Sequence, residues 1–141
     1  MALFRTRSDA ARRVCVFIDG GAQHQDDARF ARSGGGAYWS QGHPFNLSEQ
    51  LWGPLQGSDR AEQCMVLAVV EVEWRPVQLF VDNDAARWEL QQRLDPLLRP
   101  RYETGKHEDI WARVCEVLEQ RAAGDVAVTW VKGHATQGHV D

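Results

Sequence analysis

No stretch of about 18 apolar residues occurs in the chain, so the sequence offers nothing that would span a membrane. Cysteine is scarce. Cys15, Cys64 and Cys115 stand far apart, with no Cys-x-x-Cys pair and no histidine beside them at zinc-ligand spacing. That excludes a disulfide framework and a structural zinc site. All three lie in apolar stretches, which predicts buried thiols in a reducing, intracellular compartment, whether nuclear, cytoplasmic or organellar. Positive charge is not in excess either: 16 Lys and Arg stand against 20 Asp and Glu, a net charge of −4. A protein that holds nucleic acid by bulk charge would be basic. A site built from carboxylates and metal ions remains compatible with this balance. Arg5, Arg7, Arg12 and Arg13 open the chain without an apolar core segment, so the start is not a secretory signal. Residues 1–13 are expected to be a disordered basic leader. No internal repeat, low-complexity segment or interdomain linker is visible.

What is present suits one domain over residues 14–141. A length of 141 with 43% hydrophobic residues can bury a core without crosslinks and is too apolar for a disordered chain. Val14 to Ile18 is a β-branched and aromatic run, predicted as a buried strand that ends at Asp19-Gly20-Gly21. Residues 22–36, closing with Gly34-Gly35-Gly36, read as a loop or hairpin connection. Ala37–Ser40 reads as a second strand and Phe45–Gln56 as a third, interrupted at Gly53-Pro54. Ser58 or Asp59 is expected to cap a helix whose apolar positions are Ala61, Met65, Ala68, Val69 and Val72. Arg75-Pro76 stops it. Val77–Val81 is another buried strand. Asp82-Asn83-Asp84 offers caps for a helix to about Leu94, with breaks at Pro96 and Pro100. His107–Ala122 carries a clear stripe of Ile110, Trp111, Val114, Cys115, Val117 and Leu118, closed by Gly124. Asp125–Lys132 is a last strand. Three strands, a helix, a strand, helices and a strand predict a mixed α/β sheet. Its first three strands are antiparallel, and its later ones join in parallel through helical crossovers.

Three acids share one kind of position. Asp19 follows the first strand and Asp82 the fourth, while Glu62 lies in the first turn of the helix between them. Open α/β sheets build sites beyond the carboxyl ends of their strands. If those strands are neighbours, the three carboxylates converge, and such a cluster repels itself unless a cation neutralises it. Hard divalent ions bind carboxylate oxygens while keeping water and phosphate ligands. Two of them about 4 Å apart can clamp the attacking and leaving oxygens of a phosphodiester. The physical reading is metal-assisted phosphodiester hydrolysis. Each acid alone has an ordinary structural explanation in a turn, a helix start or a cap, and so does His134 in its glycine turn. Their order carries the argument.

At this point the residues resemble type 1 ribonuclease H, in a retroelement-like form. Val16-Phe-Ile-Asp19-Gly20-Gly21 resembles the family's opening strand. Ser58-Asp-Arg60-Ala61-Glu62 resembles the start of its main helix. Leu79-Phe-Val-Asp82-Asn83 resembles its fourth strand, and Glu108-Asp109-Ile110-Trp111 the start of a late helix. Trp130-Val-Lys132-Gly133-His134-Ala135 resembles the end of its fifth strand. The similarity runs from about Val14 onward. It implies an endonuclease that cleaves the RNA strand of RNA–DNA hybrids, in which Asp19, Glu62 and Asp82 hold two Mg²⁺ ions, or Mn²⁺ in their place. His134 then helps the product leave or moves a proton. The 2′-hydroxyls in the minor groove tell RNA from DNA. Gly20, Ser58, Arg60 and Asn83 are the candidate nucleic-acid contacts. The chain is expected to act as a monomer or as part of a larger polyprotein, away from membranes.

The resemblance departs from the family pattern at its end. The family's fourth carboxylate, in an Asn-x-x-Ala-Asp setting at the start of a final helix, has no counterpart after His134. Asp141, seven positions on, is a terminal residue with nothing to hold it in place. The expectation is a domain short of its last helix and therefore slow or inactive until extended through the next Asp. A catalytically impaired nucleic-acid-binding module is the leading alternative. An integrase-like or exonuclease-like substrate, or an α/β domain with coincidental acids, are further ones. The six tryptophans, Trp39, Trp52, Trp74, Trp88, Trp111 and Trp130, are expected mostly in the core, with Trp74 and Trp88 the two to check for exposure.

Overall fold

The computed structural model describes residues 12–23, 32–50, 57–99 and 106–131. Eight elements follow in chain order: β1 (Val14–Gln23), β2 (Arg32–Tyr38), β3 (Leu47–Gln50), α1 (Ser58–Val72), β4 (Val77–Val81), α2 (Asp84–Leu94), α3 (Glu108–Glu119) and β5 (Val126–Trp130). The sheet order is β3-β2-β1-β4-β5. β1 pairs antiparallel with β2, and β2 with β3, whereas β1–β4 and β4–β5 are parallel. This is the mixed sheet expected from the order of the elements.

Period-2 alternation decides what faces the helices. Val14, Val16 and Ile18 of β1 and Val77, Leu79 and Val81 of β4 are buried together with Trp39, Val66, Val69, Leu90, Trp111 and Val114. α1 lies across β1 and β2 and against α3, and α2 packs on β5. On the opposite face Phe17 stacks on Phe80 with ring centroids 4.8 Å apart, and Gln78 Nε2 donates to Thr129 Oγ1 at 2.6 Å. No helix among the described residues is long and apolar enough to cross a membrane. No disulfide joins the cysteines; Cys15 is buried, and Cys64 and Cys115 are half-buried.

Several local expectations are corrected. Asp19-Gly20-Gly21 does not end β1, which continues to Gln23 in register with β2. Gly34-Gly35-Gly36 is not a loop but the middle of β2, opposite Gly21, Gly20 and Asp19. The glycines serve close approach rather than a turn. A Cβ on Gly35 would fall 2.5 Å from Met65 Cγ and 3.1 Å from the Ala61 carbonyl oxygen, so α1 rests directly on the β2 backbone. The second strand is displaced from 37–40 to Arg32–Tyr38, and the third is confined to Leu47–Gln50, with residues 51–56 outside the described ones.

α1 is capped by neither Ser58 nor Asp59. Gly57 precedes it at φ 154°, a conformation that favours glycine, and its carbonyl accepts the first helical bond from Ala61 N at 2.9 Å. The buried stripe of α1 is Ala61, Met65, Val66, Val69 and Val70, while Val72 is exposed. α2 begins on Asn83, whose Oδ1 accepts from Ala86 N at 2.9 Å, as an N-cap should. α3 is shorter than predicted and starts after His107 at φ 58°. Only Trp39 and Trp111 are core tryptophans; Trp74, Trp88 and Trp130 are substantially exposed, and Trp52 lies outside the described residues.

A prediction follows from the seat of α1. Gly35→Val must push α1 off the sheet. It is expected to cost about 1–3 kcal/mol, the range of overpacked sites, read from urea unfolding. A wild-type midpoint would show that α1 does not rest on this strand.

Candidate nucleic-acid-processing site

The register of β1 and β4 builds the site. Their parallel pairing runs from Val14↔Val77 to Ile18↔Val81 and stops there. Asp19 and Asp82 are the next residues on each strand, so they emerge side by side, although β1 itself continues along β2. α1 then brings Glu62. Its position falls on the same helical stripe as Val66, Val69 and Val70, and the side chain is driven inside with them, at 1% exposure.

Burial, a hydrogen bond with the Asp82 side chain, and the charges of Asp82 and Asp19 together push the Glu62 carboxyl up to about 9 from an ordinary 4.5. A backbone hydrogen bond from Asp82 pulls weakly the other way. At neutral pH Glu62 is therefore a buried neutral acid pressed against a carboxylate. Its Oε1 has no hydrogen-bond partner among the described residues. Among those residues no group of three or more His, Cys, Asp or Glu side chains is arranged to hold a metal ion. The donor chemistry nevertheless suits a hard cation. All the donors are oxygens, Glu62 Oε1 is buried without a partner among the described residues, and positive charge would offset the burial and the neighbouring acids that keep Glu62 protonated.

The N-termini of α1 and α2 meet beside these acids, and that of α3 is tied to α1. Asn83, the cap of α2, donates from Nδ2 to Asp59 Oδ1 in the first turn of α1. Arg60, also in that turn, donates to both oxygens of Asp109 at the start of α3, at 3.1 and 2.6 Å. It also lies 3.2 Å from His107 Nδ1. Arg60 thereby holds the Asp109 carboxyl below its usual range, while burial and then Arg60 lower His107. Helix N-termini carry partial positive charge, which favours phosphate at this end of the sheet.

The remaining candidates are placed as follows. Gly20 lies in β1 opposite Gly35. Ser58 is the first residue of α1. Arg60 is turned to the junction of α1 and α3, and a phosphate there competes with Asp109. Asn83 is engaged at both ends of its amide. His134 and Asp141 lie outside the described residues. Two residues near the acids carry no sequence signal for this role. The sequence marks Asp59 only as a possible cap for its own helix. It places Trp130 in a strand, yet the indole Nε1 donates to the Asp82 carbonyl at 3.0 Å and the residue is 45% exposed. The strand register brings them together: Trp130 pairs with Val81, the residue before Asp82.

An antiparallel β3-β2-β1 unit continued by parallel β4 and β5, with acids where the parallel pairing of β1 and β4 ends, defines the ribonuclease H-like class of fold. Two solved structures share this fold. The chain is similar to the foamy viral protease-reverse transcriptase solved in complex with dsDNA, at a TM-score of 0.66 and 20% identity, over 88% of this chain and 84% of that one. It is also similar to the PFV RNase H domain in solution, at a TM-score of 0.55 and 19% identity, over 85% of this chain and 79% of that one. No family model matches the sequence, and no curated protein matches it. At these identities the likeness establishes the fold.

Proposed function

We propose that the chain is a metal-dependent endonuclease that hydrolyses the RNA strand of RNA–DNA hybrids. The observation that supports this most is the buried Glu62 held against Asp82 where the parallel pairing of β1 and β4 ends, next to Asp19. In this reading residues 1–13 are a basic leader and residues 14–141 form one ribonuclease H-like domain, working alone or within a larger polyprotein. Asp19, Glu62 and Asp82 would hold two Mg²⁺ or Mn²⁺ ions. Bound there, the metal supplies positive charge to the attacking and leaving oxygens of the phosphodiester. Glu62 must release its proton when a cation arrives, because ligation needs the carboxylate. The same charge reverses the local sign of an acidic chain where phosphate approaches. Gly20, Ser58, Arg60 and Asn83 are assigned to the nucleic-acid backbone near the helix starts, with Arg60 leaving Asp109 to do so. His134 is assigned to product release or proton movement.

A second reading is a catalytically impaired module that binds hybrid without cutting it. It is favoured by the lack of a three-residue metal set among the described residues. One assay separates them: cleavage of an RNA–DNA hybrid with Mg²⁺ and with EDTA, on the wild type, Asp19→Asn and Asp82→Asn. Slow nuclease action is expected with Mg²⁺ and none with EDTA, and both variants lose it. Tight hybrid binding with no Mg²⁺-dependent cleavage selects the module, and cleavage unchanged by Asp19→Asn refutes the assignment of the acids.

A further inference from the structure

We propose that Asp59 and Trp130 are positioning residues that hold Asp82 against Glu62. This rests on the reading of Asp19, Glu62 and Asp82 as metal-holding carboxylates. The chain leaves β4 at Val81 and enters α2 at Asp84, so Asp82 and Asn83 alone make the corner. A corner this short aims the Asp82 side chain, and the structure secures it from both sides. From α1, Asp59 Oδ1 accepts the Asn83 amide. From β5, the Trp130 indole donates to the Asp82 carbonyl at 3.0 Å, and Val131 N donates to the Val81 carbonyl at 2.7 Å.

Asp59 lies three residues before Glu62 on α1, one helical turn away on nearly the same face. Its bond to Asn83 therefore ties the turn that carries Glu62 to the corner that carries Asp82. The two acids belong to different elements, so their spacing is set by contacts between those elements, of which this tie is one. Asn83 can serve the tie because its amide has two ends: Oδ1 caps its own helix through Ala86 N while Nδ2 reaches α1. Trp130 closes the other side with its one donor, and its half-exposed ring means that losing the indole nitrogen removes little packing.

The test uses the full chain with Asp59→Ala, Asp59→Asn and Trp130→Phe. Each is measured for kcat and KM of hybrid cleavage across a Mg²⁺ series, and for melting temperature with and without Mg²⁺. Asp59→Ala and Trp130→Phe are expected to lower kcat about 10-fold and to raise the Mg²⁺ needed for half-maximal rate by a similar factor, the range for groups that orient ligands. KM for hybrid and the metal-free melting temperature stay close to wild type. Asp59→Asn restores most of the rate, because its amide oxygen still accepts from Asn83. If Asp59→Ala does not fold, Trp130→Phe, at a half-exposed position, carries the test. Wild-type kcat and Mg²⁺ dependence in Trp130→Phe and Asp59→Ala overturn the proposal, as does a raised KM with unchanged kcat, which would make them hybrid contacts. If the variants match a wild type that responds to Mg²⁺, this inference alone fails. A wild type that neither cleaves hybrid nor gains melting temperature with Mg²⁺ overturns the metal-site reading and this inference with it.

Discussion

Glu62→Gln is expected to abolish hybrid cleavage and, in the metal-free protein, to raise stability at neutral and alkaline pH. The sign follows from the carboxyl standing at about 9 when folded against an ordinary 4.5. Between those values the folded chain binds a proton that the unfolded chain has lost. The contribution of Glu62 is thus complete below about 4.5 and is lost as pH rises toward and through 9. One proton of difference corresponds to a slope of up to about 1.4 kcal/mol per pH unit. Glutamine has the shape of the protonated acid and can still donate to Asp82, so it removes the slope without opening a cavity. Urea unfolding of both proteins from pH 5 to 8, without metal, checks this; parallel curves would show that Glu62 is not a buried neutral acid. The same replacement takes away an oxygen that must ionise for metal to bind. Cleavage is therefore expected to fall by on the order of a thousandfold, about 4 kcal/mol of transition-state stabilisation. Mg²⁺ should also cease to raise the melting temperature, since a ligand stabilises only in proportion to its binding of the native state.

Trp111→Ala is expected to cost about 3–5 kcal/mol, the range for removing a large aromatic from a core. The ring is 1% exposed and packs where α3 meets α1 and the sheet. The Arg93 guanidinium lies 4.6 Å above it, with a side chain that is itself 1% exposed. Arg93 also donates to the Glu89 carbonyl and carboxylate at 2.8 and 2.9 Å. Removing Trp111 therefore opens a cavity and strips a buried cation of its aromatic face, which water cannot fully replace. Trp111→Phe keeps part of that face and is expected to lose less than half as much. Denaturant unfolding of the two variants measures the difference, and an alanine variant within about 1 kcal/mol of wild type would contradict this account of the core.

The sequence read well where a pattern has one physical solution. Val14–Ile18 and Val77–Val81 are short apolar runs that only a buried parallel pair accommodates, and both are strands at those residues. The stripe of Ile110, Trp111, Val114 and Leu118 appeared as a buried helix face. Asn83 announced its cap. It read poorly where glycine was involved. Gly34-Gly35-Gly36 has the composition of a turn, and nothing local shows that Met65 and Ala61 will lie against Gly35. The α1 stripe was rotated for a related reason. Ala68 and Val72 fit the helical period as well as Val66 and Val70 do, and only contact with β1 and β2 chooses between them.

The candidate site divides along the same line. Asp19, Glu62 and Asp82 were legible from their order and from the apolar runs and the helix start beside them, which are local properties, although Asp19 lies within β1 rather than after it. What only the tertiary structure decided is the company these acids keep: Asn83 bonded to Asp59, Arg60 drawn to Asp109, Trp130 on the Asp82 carbonyl, and the Glu62 carboxyl raised by burial beside Asp82. Each of these pairs residues twenty or more positions apart. Periodicity and caps specify elements, whereas such pairs depend on where the sheet register and the packing of α1 set those elements down.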